Sequence, residues 1–368
     1  MEPEASSARI TDVSTRLVSV PFDRPLGTAV LSLPAIDTVI VEVRTDAGVK
    51  GIGWCFAVGT RRARALKATA DDLGGLLVGH DPFHTGELWE RMREAVALVG
   101  RRGIAALAMA ALDTACWDVV GRCLDQPLYR LLGAVRREVE VYASGGLWLD
   151  RSRQELEAEA GGYISDGFHA VKLRLGLADE AEDLERVRIV REAIGPDATL
   201  MVDVNQGWSV KQAIRMGKRL EEHDVFWLEE PIPHEDVAGT AQVAAAVPMN
   251  LCTGESYFLK EDFLHLLRER GADIYMPDLM RMGGITEWMK VARLCEAHRV
   301  PVTPHLFTEA SSHLLAACPN GVWQEHMPWW EPLLTEPVKV RDGVIRLTDR
   351  PGIGVDFDEA AIRRFEVA

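Results

Sequence analysis

From about residue 138 onward the sequence repeats one unit, a short β-rich run followed by a stretch of helical period. The runs are EVEVYASGG, HAVKLRLG, TLMVDVNQG, VFWLEEP, NLCTGES, DIYMPDLM, VPVTPHLF and VWQEHMP, eight in all. Patterns such as DLERVRIVREAIG and VKQAIRMGKRLEEH lie between them. Strands separated by helices must pair in parallel, and eight of them predict a closed (β/α) barrel. An open, doubly wound sheet is the competing arrangement. It would carry a Gly-rich nucleotide turn after an early strand, and none is present.

The flanks read differently. Up to about residue 60 apolar and polar residues alternate through ITDVSTRLVSVPF, DTVIVEVRTDAG and VKGIGWCFA, with turn signals DAG and PLG. That pattern predicts a small antiparallel sheet. Helical patterns follow to LYRLLGA, so residues 1–134 form an α+β unit, residues 135–335 the barrel, and residues 336–368 a turn-rich segment that rejoins the first unit. The apolar stretch GIAALAMAALDTACWDVVG is interrupted by Asp113 and Asp118 and reads as a buried helix, not a membrane span.

Charge and cysteine usage narrow the function classes. A net charge of −15 argues against nucleic acid or an anionic membrane as partner. It leaves room for a small anionic carboxylate substrate, because a local cluster of cations can outweigh a distant negative surface. Cys55, Cys116, Cys123, Cys252, Cys295 and Cys318 show no metal-type spacing and read as reduced core residues. The N-terminal MEPEASSARITD has no apolar core of a secretory signal, so a cytoplasmic location is expected.

The chemistry sits at the ends of the runs. Barrel enzymes keep their active sites at the C-terminal mouth. The residues at those positions are Lys172, Arg174, Asp203, Asn205, Glu229, Glu255, Asp278, His305 and Glu325. Asp203 to Glu229 is 26 residues and Glu229 to Glu255 is again 26, one strand–helix unit each. Three carboxylates brought to one point repel unless a cation lies between them. All-oxygen ligands suit a hard divalent ion, so Asp203, Glu229 and Glu255 are expected to bind one Mg2+. Asp278, one unit before His305, is placed to fix its tautomer and support its imidazolium. His80, His84 and His313 have no such companion and read as structural.

The order Asp203, Glu229, Glu255, Asp278, His305, Glu325, with the helix AMAALDTACWDVVGR and the closing PGIGVDF, resembles the mandelate racemase subgroup of the enolase superfamily, an acid-sugar-dehydratase-like member of it. The resemblance implies an α+β capping domain, completed by the C-terminal segment, over a (β/α)7β modified TIM barrel. It implies Mg2+-dependent removal of the proton α to a carboxylate through an enediolate. Lys172 is then the cation on the substrate carboxylate, and Glu325 a hydrogen-bond donor that must be protonated, with Trp323 and Met327 as partly apolar walls. Asn205, Arg24, Trp148 and Arg174 are further substrate contacts. Specificity would come from two cap loops, around 22–33 and 55–62, with Trp329 and Trp330 adding wall. Relatives are often symmetric, so a homo-oligomer is expected.

Lys172 and Arg174 are two apart on one strand and share a face. The subgroup's usual pattern is Lys-x-Lys, with the second lysine acting as a base. Arginine stays protonated and is a poor base at neutral pH. Racemisation needs a base on each face, so the substitution favours dehydration of an aldonate or aldarate to a 2-keto-3-deoxy acid with His305 alone as base and acid. A racemase, epimerase or cycloisomerase is the alternative, and a non-catalytic relative is a third reading, disfavoured because every ligand and the His–Asp pair are present.

Overall fold

The computed structural model describes residues 8–29 and 32–367. Three strands, β1 (Ile10–Gly27), β2 (Ser32–Thr45) and β3 (Lys50–Ala57), form an antiparallel sheet in that order. Helices α1 (Thr60–Gly75), α2 (Thr85–Ala95), α3 (Ile104–Cys123) and the short α4 (Leu128–Leu131) complete the cap. Helix α3 is apolar on nearly every side because it is enclosed, with 83% of its most apolar window buried. The sheet approaches it closely through glycine. A Cβ on Gly53 would lie 2.0 Å from the Ala111 carbonyl oxygen, a backbone atom that cannot step aside. Gly53→Ala is therefore expected to destabilise the protein by about 3 kcal/mol through overpacking, read as a lower urea midpoint.

The barrel strands are β4 (Glu138–Ala143), β5 (Ala170–Arg174), β6 (Thr199–Asp203), β7 (Val225–Glu229), β8 (Asn250–Thr253) and β9 (Ile274–Tyr275), each pairing in parallel with the next. At the seventh position Val302 bridges Tyr275 on one side and Gly321 on the other. The eighth strand, β10 (Gln324–His326), pairs in parallel with β4 and closes the ring. Seven helices connect the strands: α5 (Arg153–Ser165), α6 (Glu180–Ile194), α7 (Val210–Leu220), α8 (Val237–Ala246), α9 (Leu259–Glu269), α10 (Ile285–Ala297) and α11 (Thr308–Ala316). This is the closed barrel expected from the repeat, in the (β/α)7β form that the resemblance implies. Tyr142, Ala170, Met201, Trp227, Cys252 and Met276 fill its interior, with Tyr142 edge-on to Trp227 at 5.3 Å.

The segment after residue 335 serves both units. Its hairpin, β11 (Val340–Arg341) and β12 (Val344–Arg346), pairs antiparallel with barrel strand β4. Helix α12 (Glu359–Phe365) then leads to a bridge between Glu366 and Val18 of the cap. Cap and barrel share one apolar core, in which Phe307 stacks on Trp330 at 4.7 Å. Hydrogen bonds reinforce the seam: Trp89 donates to the Gly283 carbonyl and Trp330 to the Thr38 hydroxyl, at 2.8 and 2.9 Å.

Candidate active site

Alternation along each strand decides what reaches the barrel axis. On β5 the inward positions are Ala170, Lys172 and Arg174; on β6 Met201 and Asp203; on β7 Trp227 and Glu229. The first residue of each set packs in the floor and the last arrives at the mouth. Register keeps these ends level: Asp203 pairs with Arg174 on one side and with Glu229 on the other. Glu255 follows Gly254, whose φ of +143° and whose contact with the Met276 backbone (2.7 Å from a Cβ) exclude a side chain there.

Above the mouth lies a cavity of about 250 Å³. It is lined by Lys172, Arg174, Asp203, Asn205, Glu255, His305 and Glu325 from below, and by Phe56, Val58 and Trp329 from the cap side. Glu229 lies fully buried just behind Lys172, whose Nζ donates to Glu229 Oε1 at 2.6 Å and to Glu325 Oε1 at 3.0 Å. The Trp227 indole donates to the other Glu229 oxygen at 2.9 Å. His305 Nδ1 meets Asp278 Oδ2 at 2.6 Å, and its Nε2 is 3.3 Å from Glu255 Oε2. Asp278 is held in turn by the Arg281 backbone N–H at 2.7 Å. The sequence reading thus brings its metal, lysine and His–Asp candidates into one pocket.

The electrostatics of this pocket suit a cation. Six buried carboxylates, Asp203, Glu229, Glu230, Glu255, Asp278 and Glu325, face three fixed cations, Lys172, Arg174 and Arg281. Burial first, and repulsion from neighbouring carboxylates second, push Asp203 and Glu229 above the ordinary carboxylate range, with Lys172 only partly offsetting. Among the described residues no three such side chains are yet drawn tightly enough to enclose an ion as they stand. The fit lies in the strand positions and the all-oxygen donor set. Asn205 adds to it: its N–H groups hold both Asp203 oxygens, at 2.8 and 3.0 Å, while its own buried Oδ1 has no partner.

For His305, burial would lower the pKa, but Glu255, the Asp278 hydrogen bond and Glu325 together raise it to about 9. Lys172 is raised as well: burial disfavours its charge, and Glu229, Glu325 and Asp203 more than compensate.

Several expectations need correction. Glu325 was expected to be a protonated donor; here the Lys172 ammonium, the Ser144 hydroxyl and the Leu306 N–H all point at its two oxygens, so the geometry presents it as an acceptor. Burial alone would raise its pKa, but Lys172, His305 and a Ser144 hydrogen bond at 2.6 Å bring it down to about 2. Arg24 stands outside the cavity, because Asp150 and Glu155 hold its guanidinium at 2.8 and 2.9 Å. Arg174 lines the cavity but is anchored. Its Nη1 donates to the Ser144 and Gly146 carbonyls at 2.6 and 3.1 Å and its Nη2 to the Ser144 hydroxyl at 2.7 Å. Trp148 lines the cavity as expected and is also the shelf beneath Arg174, 4.0 Å from ring centre to guanidinium carbon.

Of the cap loops, Thr28, Leu33, Phe56 and Val58 reach the cavity; Val30 and Leu31 lie outside the described residues. Met327 and Trp329 form wall, Trp330 packs behind them, and Trp323 belongs to the barrel floor beside Phe226. His313 is structural as expected, accepting from the Tyr129 N–H and facing the Ile353 carbonyl, both at 3.1 Å, with burial taking its pKa down to about 4. All six cysteines are free thiols.

Sequence reasoning passed over a second polar group beside the carboxylates. Glu230 accepts from Gln206 at 2.7 Å and Ser256 at 3.0 Å, and Arg281 donates to the Glu255 carbonyl at 2.6 Å. The doubled glutamate in LEEP was its available signal. Asn205, Gln206 and Glu230 all have positive φ, at 46°, 66° and 33°, a conformation that surroundings must enforce in non-glycine residues.

A (β/α)7β barrel under an α+β cap, with carboxylates on three successive strand ends, a lysine between them and a His–Asp pair opposite, defines an enolase-like protein. The chain belongs to the mandelate racemase / muconate lactonizing enzyme family: that family's N-terminal domain matches residues 10–133 and the enolase C-terminal domain-like family matches residues 155–361. It is 34% identical over 363 residues to the L-talarate/galactarate dehydratase of Salmonella typhimurium, covering 96% of this chain and 90% of that protein. It is 31% identical to the D-galactarolactone cycloisomerase of Agrobacterium fabrum, covering 98% and 99%. The Salmonella dehydratase crystallised with Mg and L-lyxarohydroxamate superimposes with a TM-score of 0.95 at 32% identity, covering 100% of this chain and 95% of that one.

Proposed function

We propose that this protein is a hydro-lyase that removes the proton α to the carboxylate of a sugar acid and expels the β-hydroxyl as water, giving a 2-keto-3-deoxy acid. The observation that carries the reading is the His305–Asp278 contact at 2.6 Å, which occupies Nδ1 and turns Nε2 to the cavity side, where it faces Glu255 at 3.3 Å. Asp203, Glu229 and Glu255 would hold one Mg2+, which when bound supplies positive charge where the substrate carboxylate gains negative charge. Lys172 adds a fixed cation at the same end of the pocket. His305 Nε2 accepts the α-proton, and the Asp278 carboxylate stabilises the imidazolium. The imidazolium then returns that proton to the departing hydroxyl oxygen, so water leaves and the base is restored. With Glu255 committed to a cation, His305 loses the largest contribution that keeps it protonated at rest.

Arg174 supports dehydration over racemisation. Three of its donor contacts already go to Ser144 and Gly146, and its guanidinium cannot serve as a second base. A Mg2+-loaded sample incubated with aldonic and aldaric acids should form 2-keto acids, detected as semicarbazones. Chelation should abolish the signal and added Mg2+ restore it. Exchange of the α-proton in D2O without keto acid would instead establish a racemase or epimerase.

The same reading places residues 1–134 in the cap, 135–335 in the barrel and 336–368 in the closing segment. It also takes the protein to be cytoplasmic, consistent with its six free thiols, and a homo-oligomer.

A further inference from the structure

The cavity is chemically divided. Its three cations all belong to the reacting end: Lys172 Nζ lies 3.8 Å and Arg174 Nε 3.9 Å from Asp203, and Arg281 Nη1 lies 3.9 Å from Asp278. The opposite wall is made by Leu33, Phe56, Val58, Met327 and Trp329. Thr28 and the Trp329 indole N–H are its polar groups, and neither carries charge. Phe56 meets Trp329 edge-on at 5.7 Å, so this wall is a packed surface, not a set of loose side chains.

Two cations of the cap loops are engaged elsewhere. Arg24 is committed to Asp150 and Glu155, and Arg62 donates to the Val58 carbonyl at 2.9 Å. Among the described residues, then, no cation lines the far wall to neutralise a second carboxylate. Pressing an ion against hydrocarbon without a partner forfeits its hydration for nothing in return. A methyl group there gains by contact.

From this division we infer the substrate class: a monocarboxylic acid whose far end is uncharged and apolar, a 6-deoxyaldonate in preference to an aldarate. The inference rests on the sugar-acid reading above and goes beyond it by choosing between its two acid classes.

The test compares a 6-deoxyaldonate with the aldarate of matching stereochemistry, using the Mg2+-loaded protein. Binding is read by titration calorimetry and turnover by keto-acid release. The deoxy acid is expected to bind tighter and show a higher kcat/KM, by roughly 100-fold. Val58→Arg, at a half-buried position on the apolar wall, should shift the ratio towards the aldarate; Phe56→Arg is the deeper second variant. Equal or tighter aldarate binding overturns the inference, while keto acid from either compound keeps dehydration intact. Tighter deoxy-acid binding with neither keto acid nor α-proton exchange does the reverse. Binding of neither acid overturns the inference.

Discussion

Replacing His305 with asparagine is expected to lower kcat for keto-acid formation on the order of 1,000-fold, the range for losing a positioned acid–base group. The loss should be larger than that of a single contact, because one nitrogen both takes the α-proton and delivers it to the leaving hydroxyl. Asparagine can fill much of the space beside Asp278 but holds no proton-accepting nitrogen. Exchange of the α-proton in D2O should vanish with product formation. Metal affinity and melting temperature should change little, since the side chain retains some solvent exposure, 12%, and contacts its neighbours chiefly through polar atoms. A variant that still exchanged the α-proton at the parental rate would show that the base lies elsewhere, and the assignment of His305 would fall.

Lys172→Met should act on stability as well as activity. The ammonium is 1% exposed and sits within 4 Å of Asp203, Glu229 and Glu325. Removing one partner from a buried ionic cluster strands the others, and the expected cost is about 3 to 5 kcal/mol. Mg2+ should recover part of it, because the ion supplies the missing positive charge and binds only the folded protein. The midpoint gain on adding Mg2+ should therefore exceed that of the parent. An unchanged urea midpoint in the metal-free variant would mean that the carboxylates are neutralised by their own protons, and that Lys172 contributes charge only to catalysis.

The legible parts of the molecule were those written in a period. Eight β-rich runs implied the barrel, and the two intervals of 26 residues placed Asp203, Glu229 and Glu255 on successive strand ends. Period says nothing about which charge a side chain chooses as partner. Arg24 sits in a cap loop as expected, but Glu155, 131 residues away, holds it outside the cavity. Arg174 was visible as a cation that could not be a base, whereas its anchoring by Ser144, 30 residues earlier, required the turn after β4. The protonation of Glu325 depends on distances to Lys172 and His305 that no spacing along the chain encodes. Glu230 was in plain sight beside Glu229, but a strand's alternation sends adjacent residues to opposite faces. Only the positive φ at Glu230 turns it back towards the pocket.

The double attachment of residues 340–367 bears on how the chain matures. During synthesis Val18 emerges 348 residues before Glu366, its bridge partner (366 − 18), and strand β4 is made about 200 residues before β12 covers its free edge. Until then the ribosome-bound chain carries an apolar cap edge and a barrel strand whose first half lacks its partner on one side, both adhesive surfaces. The cap cannot be finished first and parked while the barrel is made. Both units are sealed by the same stretch, so they are expected to lock together in one cooperative event once it has been made, with a correspondingly slow, nonlocal search.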